Sequence, residues 1–284
     1  MSARLQDKIA VITGSSNGIG RGIALSYAAE GAYVVCSDLD PAAKDDAGKP
    51  THEAINETYP VASGDRAATR AVFVKADASI SGDVENLVKE CVKVFGRLDI
   101  IVNNAGMNPL AYQRAGDRIH ETPEASWDKV MGLNGKGVWL GCKFAAKQML
   151  AQDPHPSGDR GWIISLASIY GSVGGASLST YAASKHAVVG ITKSVALEYA
   201  NDRIHVNALA PGWVETALIE SIADANSQNP HSRAFRSHLV SMHPFDSRLG
   251  RVEDITGAAV FLASKDAGWV TGTTLAVDGG FVAH

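Results

Sequence analysis

Across 284 residues, 26 basic and 30 acidic side chains leave a formal charge of −4, without the Lys and Arg excess of a polyanion-binding surface, so nucleic acid is excluded as an expected partner. Hydrophobic residues make up 45% and charged residues 20%, the balance of a soluble globular protein, and the absence of any run of about 18 apolar residues argues against a membrane span. Cys36, Cys91 and Cys142 are odd in number and far apart, which argues against a disulfide framework or a zinc site and leaves them as small core residues.

The opening segment, MSARLQDKIAVITG, runs into a strand at 8–13 without the apolar stretch of a secretory signal, so a reducing, cytoplasmic setting is expected. Gly14, Gly18 and Gly20 follow, ahead of an amphipathic helix near 18–30. Glycines there permit a tight turn and close backbone approach, and the helix N-terminus offers N–H groups and a positive dipole to a pyrophosphate. The next strand, 33–38, ends at Asp38, whose carboxylate can accept hydrogen bonds from an adenosine ribose and repel a 2′-phosphate. Ser15, Ser16 and Leu39 supply no compensating cation, so NAD is expected rather than NADP.

Residues 40–70, rich in charge, Pro and Gly, read as a surface excursion with one helix near 51–58, in which the Asn56 sequon is a coincidence. Strands at 72–77 and 98–104 flank a helix at 81–95, and Asp77 is suited to capping that helix. The helical pattern over 124–151 contains Asn134 beside Gly135 and Gly137, residues that weaken a helix interior, so a kink is expected there. A polar connector, 153–161, leads to a strand at 162–168. In the helix over 180–200, Tyr181 and Lys185 lie one above the other on one face. A strand at 204–210 precedes a long mixed segment, 213–250, which is a substrate-loop candidate, and a helix at 253–264 and a strand at 274–278 complete the pattern. Seven strands alternating with helices predict one α/β domain over 1–284, a parallel sheet with helices on both faces.

TGSSNGIG at 13–20, NNAG at 103–106, Ser168 and YAASK at 181–185 occur in order, and together they resemble the short-chain dehydrogenase/reductase family over nearly the whole chain. The glycine spacing is that of its ordinary dehydrogenase branch, and three residues between Tyr181 and Lys185 argue against its enoyl-reductase branch, whose spacing is wider. The resemblance implies a Rossmann-type fold with strand order 3-2-1-4-5-6-7 and a homodimer or homotetramer. It also implies a nicotinamide cofactor met by Gly14, Ser16, Asn17, Gly18, Ile19 and Gly20 and, at the adenosine side, by Asp38, Asp77, Ala78, Asn104, Ala105 and Gly106. Pro211, Gly212, Val214 and Thr216 correspond to the turn at its carboxamide end, Lys185 to the lysine on its ribose, and Tyr181 is implied beside Lys185 among the residues that meet the cofactor.

Oxidising an alcohol needs a base for the hydroxyl proton while hydride leaves for the nicotinamide, and Tyr181 is the candidate. A free tyrosine titrates near 10, so work near pH 7 asks for about 4 kcal/mol of preferential phenolate stabilisation, part of it from Lys185. Ser168 is the candidate donor to the substrate oxygen, with loop capping as its alternative. By resemblance Asn134 completes the proton relay through water and Lys185.

The expected reaction interconverts a secondary alcohol, polyol or sugar-like, with its ketone. An NADPH-dependent biosynthetic ketoreductase and a non-catalytic dinucleotide sensor are the rivals. Asp38 argues against the first and the intact Ser, Tyr, Lys and Asn set against the second. Tyr112, Arg114, Tyr170, Trp213 and His243 are unranked candidates for the substrate opening, while His186, His238 and His243 read first as surface histidines. Trp127, Trp139 and Trp162 read as core or interface.

Overall fold

The β-branched run Ile9–Thr13 forms β1 and is buried along its whole length, as a central parallel strand must be. The computed structural model describes residues 3–42, 48–61, 67–109, 112–220, 223 and 228–283. Residues 43–47 and 62–66 of the excursion, 110 and 111 of the loop after the fourth strand, 221, 222 and 224–227 of the substrate-loop candidate, and 1, 2 and 284 of the expected domain lie outside the described residues.

In chain order the elements are β1, α1 (Gly18–Ala29), β2 (Tyr33–Asp38), α2 (Thr51–Thr58), β3 (Ala71–Lys75), α3 (Ser81–Phe95), β4 (Ile100–Asn103), α4 (Glu124–Val130) and α5 (Val138–Ala151). Then come β5 (Gly161–Leu166), α6 (Ser179–Glu198), β6 (Ile204–Pro211), α7 (Ala217–Glu220), α8 (Pro230–Ser241), α9 (Val252–Ala263) and β7 (Thr274–Val277). The seven strands form one parallel sheet in the order β3-β2-β1-β4-β5-β6-β7, as the resemblance implies.

Alternation along the strands builds two core layers. Ile9, Val11, Val35, Ile101, Ile163 and Val206 face α3, α5 and α6. Ala10, Ile12, Val34, Ile100 and Ile164 face α1, α2 and α9. Each fully buried large aliphatic contributes about 1.5–3 kcal/mol, so the layers hold the strand ends in fixed register. Trp162 is buried in the second layer, whereas Trp127 and Trp139 are half-exposed. The three cysteines are free thiols in the core, and burial pushes Cys36 up to about 12.

One segment gives the expected kink its form and another departs from the sequence reading. The helix expected over 124–151 is interrupted by a π-helical stretch, Met131–Gly137, centred on the Asn-Gly positions that weaken an α-helix. The 213–250 segment contains a regular helix, α8, which starts where Asn229 Oδ1 accepts from the His231 N–H at 2.9 Å with Pro230 in the first turn. No described helix is long and apolar enough to cross a membrane.

Candidate active site

Strand order reverses between β1 and β4, and a cleft of about 1040 Å³ opens at the C-terminal ends of the strands there. One wall is the turn between β1 and α1. Gly20 packs so tightly that a Cβ would overlap the Gly14 carbonyl and the Asn104 amide. Asn104 Nδ2 donates to the carbonyls of Thr13 at 2.9 Å and Gly14 at 3.0 Å, and Thr13 Oγ1 accepts the N–H groups of Asn104 and Ala105, each at 3.0 Å. The NNAG segment therefore holds the glycine turn in shape while Asn104, Ala105 and Gly106 line the cleft.

Gly18, at a φ of 52°, opens α1, so the positive end of the helix dipole lies at this wall. Across from it stand Pro211, Gly212, Val214 and Thr216. The Thr216 methyl is 3.4 Å from where a Gly18 Cβ would be, so a side chain there would narrow the space between the walls. A glycine-lined slot on a helix N-terminus is the donor set a dinucleotide pyrophosphate requires, and Asn17 and Ile19 line it too.

At the end of the cleft beside β2, Asp38 Oδ2 accepts the Ser16 N–H at 3.2 Å and Oδ1 the Leu39 N–H at 2.8 Å, which fixes the carboxylate at the cleft. Asp77 and Ala78 line the same end. Asp77 Oδ1 accepts from the Ser79 N–H at 2.8 Å and hydroxyl at 2.7 Å, a turn ahead of α3, whose N-cap is Ile80 without a side-chain cap, so the reading of Asp77 as the cap of that helix is corrected. Ser16 is buried, its hydroxyl on the Asp40 carbonyl at 2.6 Å, and it does not line the cleft.

Ser168, Tyr181 and Lys185 come together at the floor. Ser168 lies just beyond β5 at the start of a short 3-10 turn, where its Oγ also accepts the Tyr170 N–H at 3.3 Å. This hydroxyl caps the turn, and it also favours the charged form of the Tyr181 phenol. Lys185 Nζ donates to the Leu166 carbonyl at 2.7 Å and lies 5.5 Å from the centre of the Tyr181 ring. Burial pushes the phenol up to about 12, partly countered by the Ser168 hydroxyl, and the lysine down to about 8. The lowered phenol argued from the sequence is therefore not a property of this pair alone, because the ammonium is bonded to a carbonyl and not to the phenol oxygen.

Asn134 sits in the π-helical stretch, 1% exposed, and does not line the cleft. Its Oδ1 accepts the Met107 N–H at 2.8 Å, and its Nδ2 donates to the Met107 carbonyl at 3.0 Å and to Ser184 Oγ at 3.2 Å. Its side chain pins the loop after β4 to the stretch ahead of α5, and its hydrogen bonds go to Met107 and Ser184 and not to Lys185.

Beside Tyr181, Tyr170 makes edge contacts with Tyr181, Trp213 and Phe281, at centroid separations of 6.2, 6.0 and 6.3 Å. Tyr112, Tyr170 and Trp213 line the cleft, whereas Arg114 and His243 do not. The surface reading of His243 is corrected: it is 2% exposed, its Nδ1 pairs with the Leu239 carbonyl at 2.8 Å and its Nε2 with the Trp213 N–H at 3.1 Å. His186 and His238 are exposed. Sequence reasoning missed Thr13, Met107 and Leu166. Thr13, a hydroxyl at a strand end before the glycines, was a readable signal, but Met107 and Leu166 act through their backbone groups, which every residue type carries.

A family model described as enoyl-(acyl carrier protein) reductase matches residues 14–282. The short-chain dehydrogenase/reductase astE of Aspergillus oryzae is 35% identical over 276 residues, 97% of this chain and 95% of its own. The chain belongs to the short-chain dehydrogenase/reductase family. Among other relatives, the 2-dehydro-3-deoxy-D-gluconate 5-dehydrogenase of Dickeya dadantii is 37% identical over 282 residues, 99% of this chain and 97% of its own. The structure of levodione reductase superposes with a TM-score of 0.83 at 32% identity, covering 98% of each chain. That of a candidate NAD(P)-dependent gluconate 5-dehydrogenase from Beutenbergia cavernae, with NADP bound at low occupancy, gives 0.81 at 33% identity and covers 100% of both. This short-chain dehydrogenase/reductase is an oxidoreductase of alcohol carbons that uses a nicotinamide dinucleotide.

Proposed function

We propose that the protein interconverts a secondary alcohol and its ketone with NAD(H), in one domain spanning 1–284. The observation that carries this reading is the convergence of Ser168, Tyr181 and Lys185 beside the glycine-lined slot. The bound nicotinamide would accept or supply hydride and, when oxidised, bring a positive charge to the floor of the cleft. Tyr181 takes the hydroxyl proton, Ser168 donates to the oxygen as alkoxide charge develops, and Lys185 holds the ribose and favours the phenolate. The one-turn spacing of Tyr181 and Lys185 supports carbonyl and alcohol chemistry rather than enoyl reduction. Asn134 stabilises the loop that frames this relay.

Asp38, with both oxygens fixed by backbone N–H groups, supports NAD. A second reading, NADP, draws on the NADP in the Beutenbergia structure and on Lys75, exposed and in register with Asp38. The sugar-acid relatives and the aromatic group around Tyr170 support a polyol or sugar-like substrate, whose C–H face would lie against the rings. The half-exposed Trp127 and Trp139 support a homodimer or homotetramer, and the free thiols support a cytoplasmic setting.

Parallel fluorescence titrations with NADH and NADPH, on the native protein and on Asp38→Ala, test the cofactor assignment. The expected result is tighter NADH binding whose margin shrinks in the variant. Tighter NADPH binding by the native protein would overturn it in favour of NADP, and binding of neither would favour a protein without dehydrogenase activity.

A further inference from the structure

The composition of the 40–70 excursion leaves its role open, but the contacts of its helix do not. Thr51 begins α2, and its hydroxyl lies under the glycine turn, donating to the Ser15 carbonyl at 2.7 Å and accepting from Arg21 Nη1 at 2.9 Å. The same guanidinium nitrogen donates to the Lys49 carbonyl at 3.0 Å. Ser15 directly follows Gly14 and Arg21 directly follows Gly20, so one threonine hydroxyl joins both ends of the turn to the excursion. Thr51 and Arg21 are 2% and 8% exposed, and a hydrogen bond at such depth costs its full desolvation penalty to lose.

The helix that carries Thr51 is itself anchored. Ile55 is fully buried in the layer beneath α1. Asn56 Oδ1 accepts the Ala71 N–H at 2.8 Å and its Nδ2 donates to the Ala71 carbonyl at 2.9 Å, fixing α2 to the start of β3. The Asn56 amide of the apparent sequon is thus used internally. From the other side, the end of β2 and the residues just after it hold the turn through Asp38 and the Asp40 carbonyl.

A turn that cradles a pyrophosphate through backbone N–H groups binds weakly if those groups must be ordered on binding, and tightly if they are ordered beforehand. We propose that the 48–58 segment buttresses the glycine turn and that Thr51 is a positioning residue setting dinucleotide affinity. This rests on the reading of the cleft as a nicotinamide dinucleotide site. Thr51 acts through Ser15 and Arg21 and does not touch the cofactor, so its effect falls on binding and release and not on hydride transfer.

The test compares NADH affinity, NADH dissociation rate and backbone amide exchange of residues 14–21 in the native protein, Thr51→Val, Thr51→Ser and Glu57→Gln. Valine keeps the shape and removes the hydroxyl. Its expected effect is about tenfold weaker NADH binding, mainly through faster release, with faster exchange in the turn and unchanged exchange in β4 and β5. Serine restores affinity to within about twofold, because it restores both hydrogen bonds. Glu57→Gln, which weakens only the exposed Lys49–Glu57 pair on the same segment, leaves binding unchanged. If the valine variant does not fold, Arg21→Met, which keeps the apolar stem and removes the donor, gives the same readout. Native affinity in Thr51→Val or Arg21→Met, or a serine variant as weak as the valine one, overturns the inference alone. A native protein that binds neither NADH nor NADPH overturns the proposed function, and the inference with it.

Discussion

Lys185 Nζ lies 5.5 Å from the centre of the Tyr181 ring, and its hydrogen bond goes to the Leu166 carbonyl, 2.7 Å away. The ammonium is positioned by a strand end and not by the phenol it serves. Burial acts on both groups in the direction that disfavours charge, lowering the lysine to about 8 and raising the tyrosine to about 12. The proposed reaction at this floor would therefore draw on Ser168 and on the positive charge of a bound oxidised nicotinamide.

That arrangement has a measurable consequence for stability. Lys185 titrates at about 8 when folded and at 10.5 as an ordinary lysine, so the cost of burying its charge is present in full below pH 8 and fades as pH rises from 8 to 10.5. Lys185→Met is therefore expected to be more stable than the native protein at pH 7, by about 1–3 kcal/mol after its lost hydrogen bond is counted. Urea unfolding across pH 7 to 10.5 should show the native protein catching up. A difference independent of pH contradicts the account.

The glycine turn yields a paired prediction. Gly20→Ala forces a methyl into the Gly14 carbonyl and should cost about 1–3 kcal/mol and weaken NADH binding at least about tenfold. Gly82→Ala, in the first turn of α3 with open space around it, should stabilise by up to about 1 kcal/mol and leave binding unchanged. Thermal unfolding and NADH titration of both variants decide it, and equal effects would show that packing at Gly20 is not what shapes the turn.

His243 ties α8 to the turn that carries Trp213. Its Nε2 accepts the Trp213 N–H, so the ring is neutral with its proton on Nδ1 toward Leu239. His243→Ala should lose about 2–4 kcal/mol through a cavity and an unpaired buried N–H, whereas His238→Ala, on the exposed side of the same helix, should change stability by less than about 0.5 kcal/mol. Denaturant unfolding of the pair separates the buried histidine from the exposed one.

The strands, the glycine turn, Asp38 and the Tyr181–Lys185 pair were legible because each rests on a residue type with few uses: β-branched runs alternating with amphipathic ones, glycines at a strand end, a tyrosine and a lysine one turn apart; the strand order came from the family resemblance. Asn134 was legible as a local misfit, and the π-helical stretch is that misfit made structural. The contacts of Met107 and Leu166 were not legible, since they are made by backbone groups. His243 was misjudged because burial depends on which helix covers it, and α8 lies in a segment whose composition hides its Asn-Pro start. The buttress at Thr51 joins residues 30 and 36 positions apart in sequence, a pairing no local pattern announces.

The most direct test of the central claim is hydride transfer by the native protein and by Tyr181→Phe, followed as NADH absorbance with NAD⁺ and a panel of neutral polyols, sugars, sugar acids and cyclic secondary alcohols. The account predicts NADH formation by the native protein with at least one compound, and at least about a thousandfold less with Tyr181→Phe, whose NADH affinity is unchanged. Undiminished turnover by the phenylalanine variant, or NADH binding without hydride transfer to any compound of the panel, would contradict it.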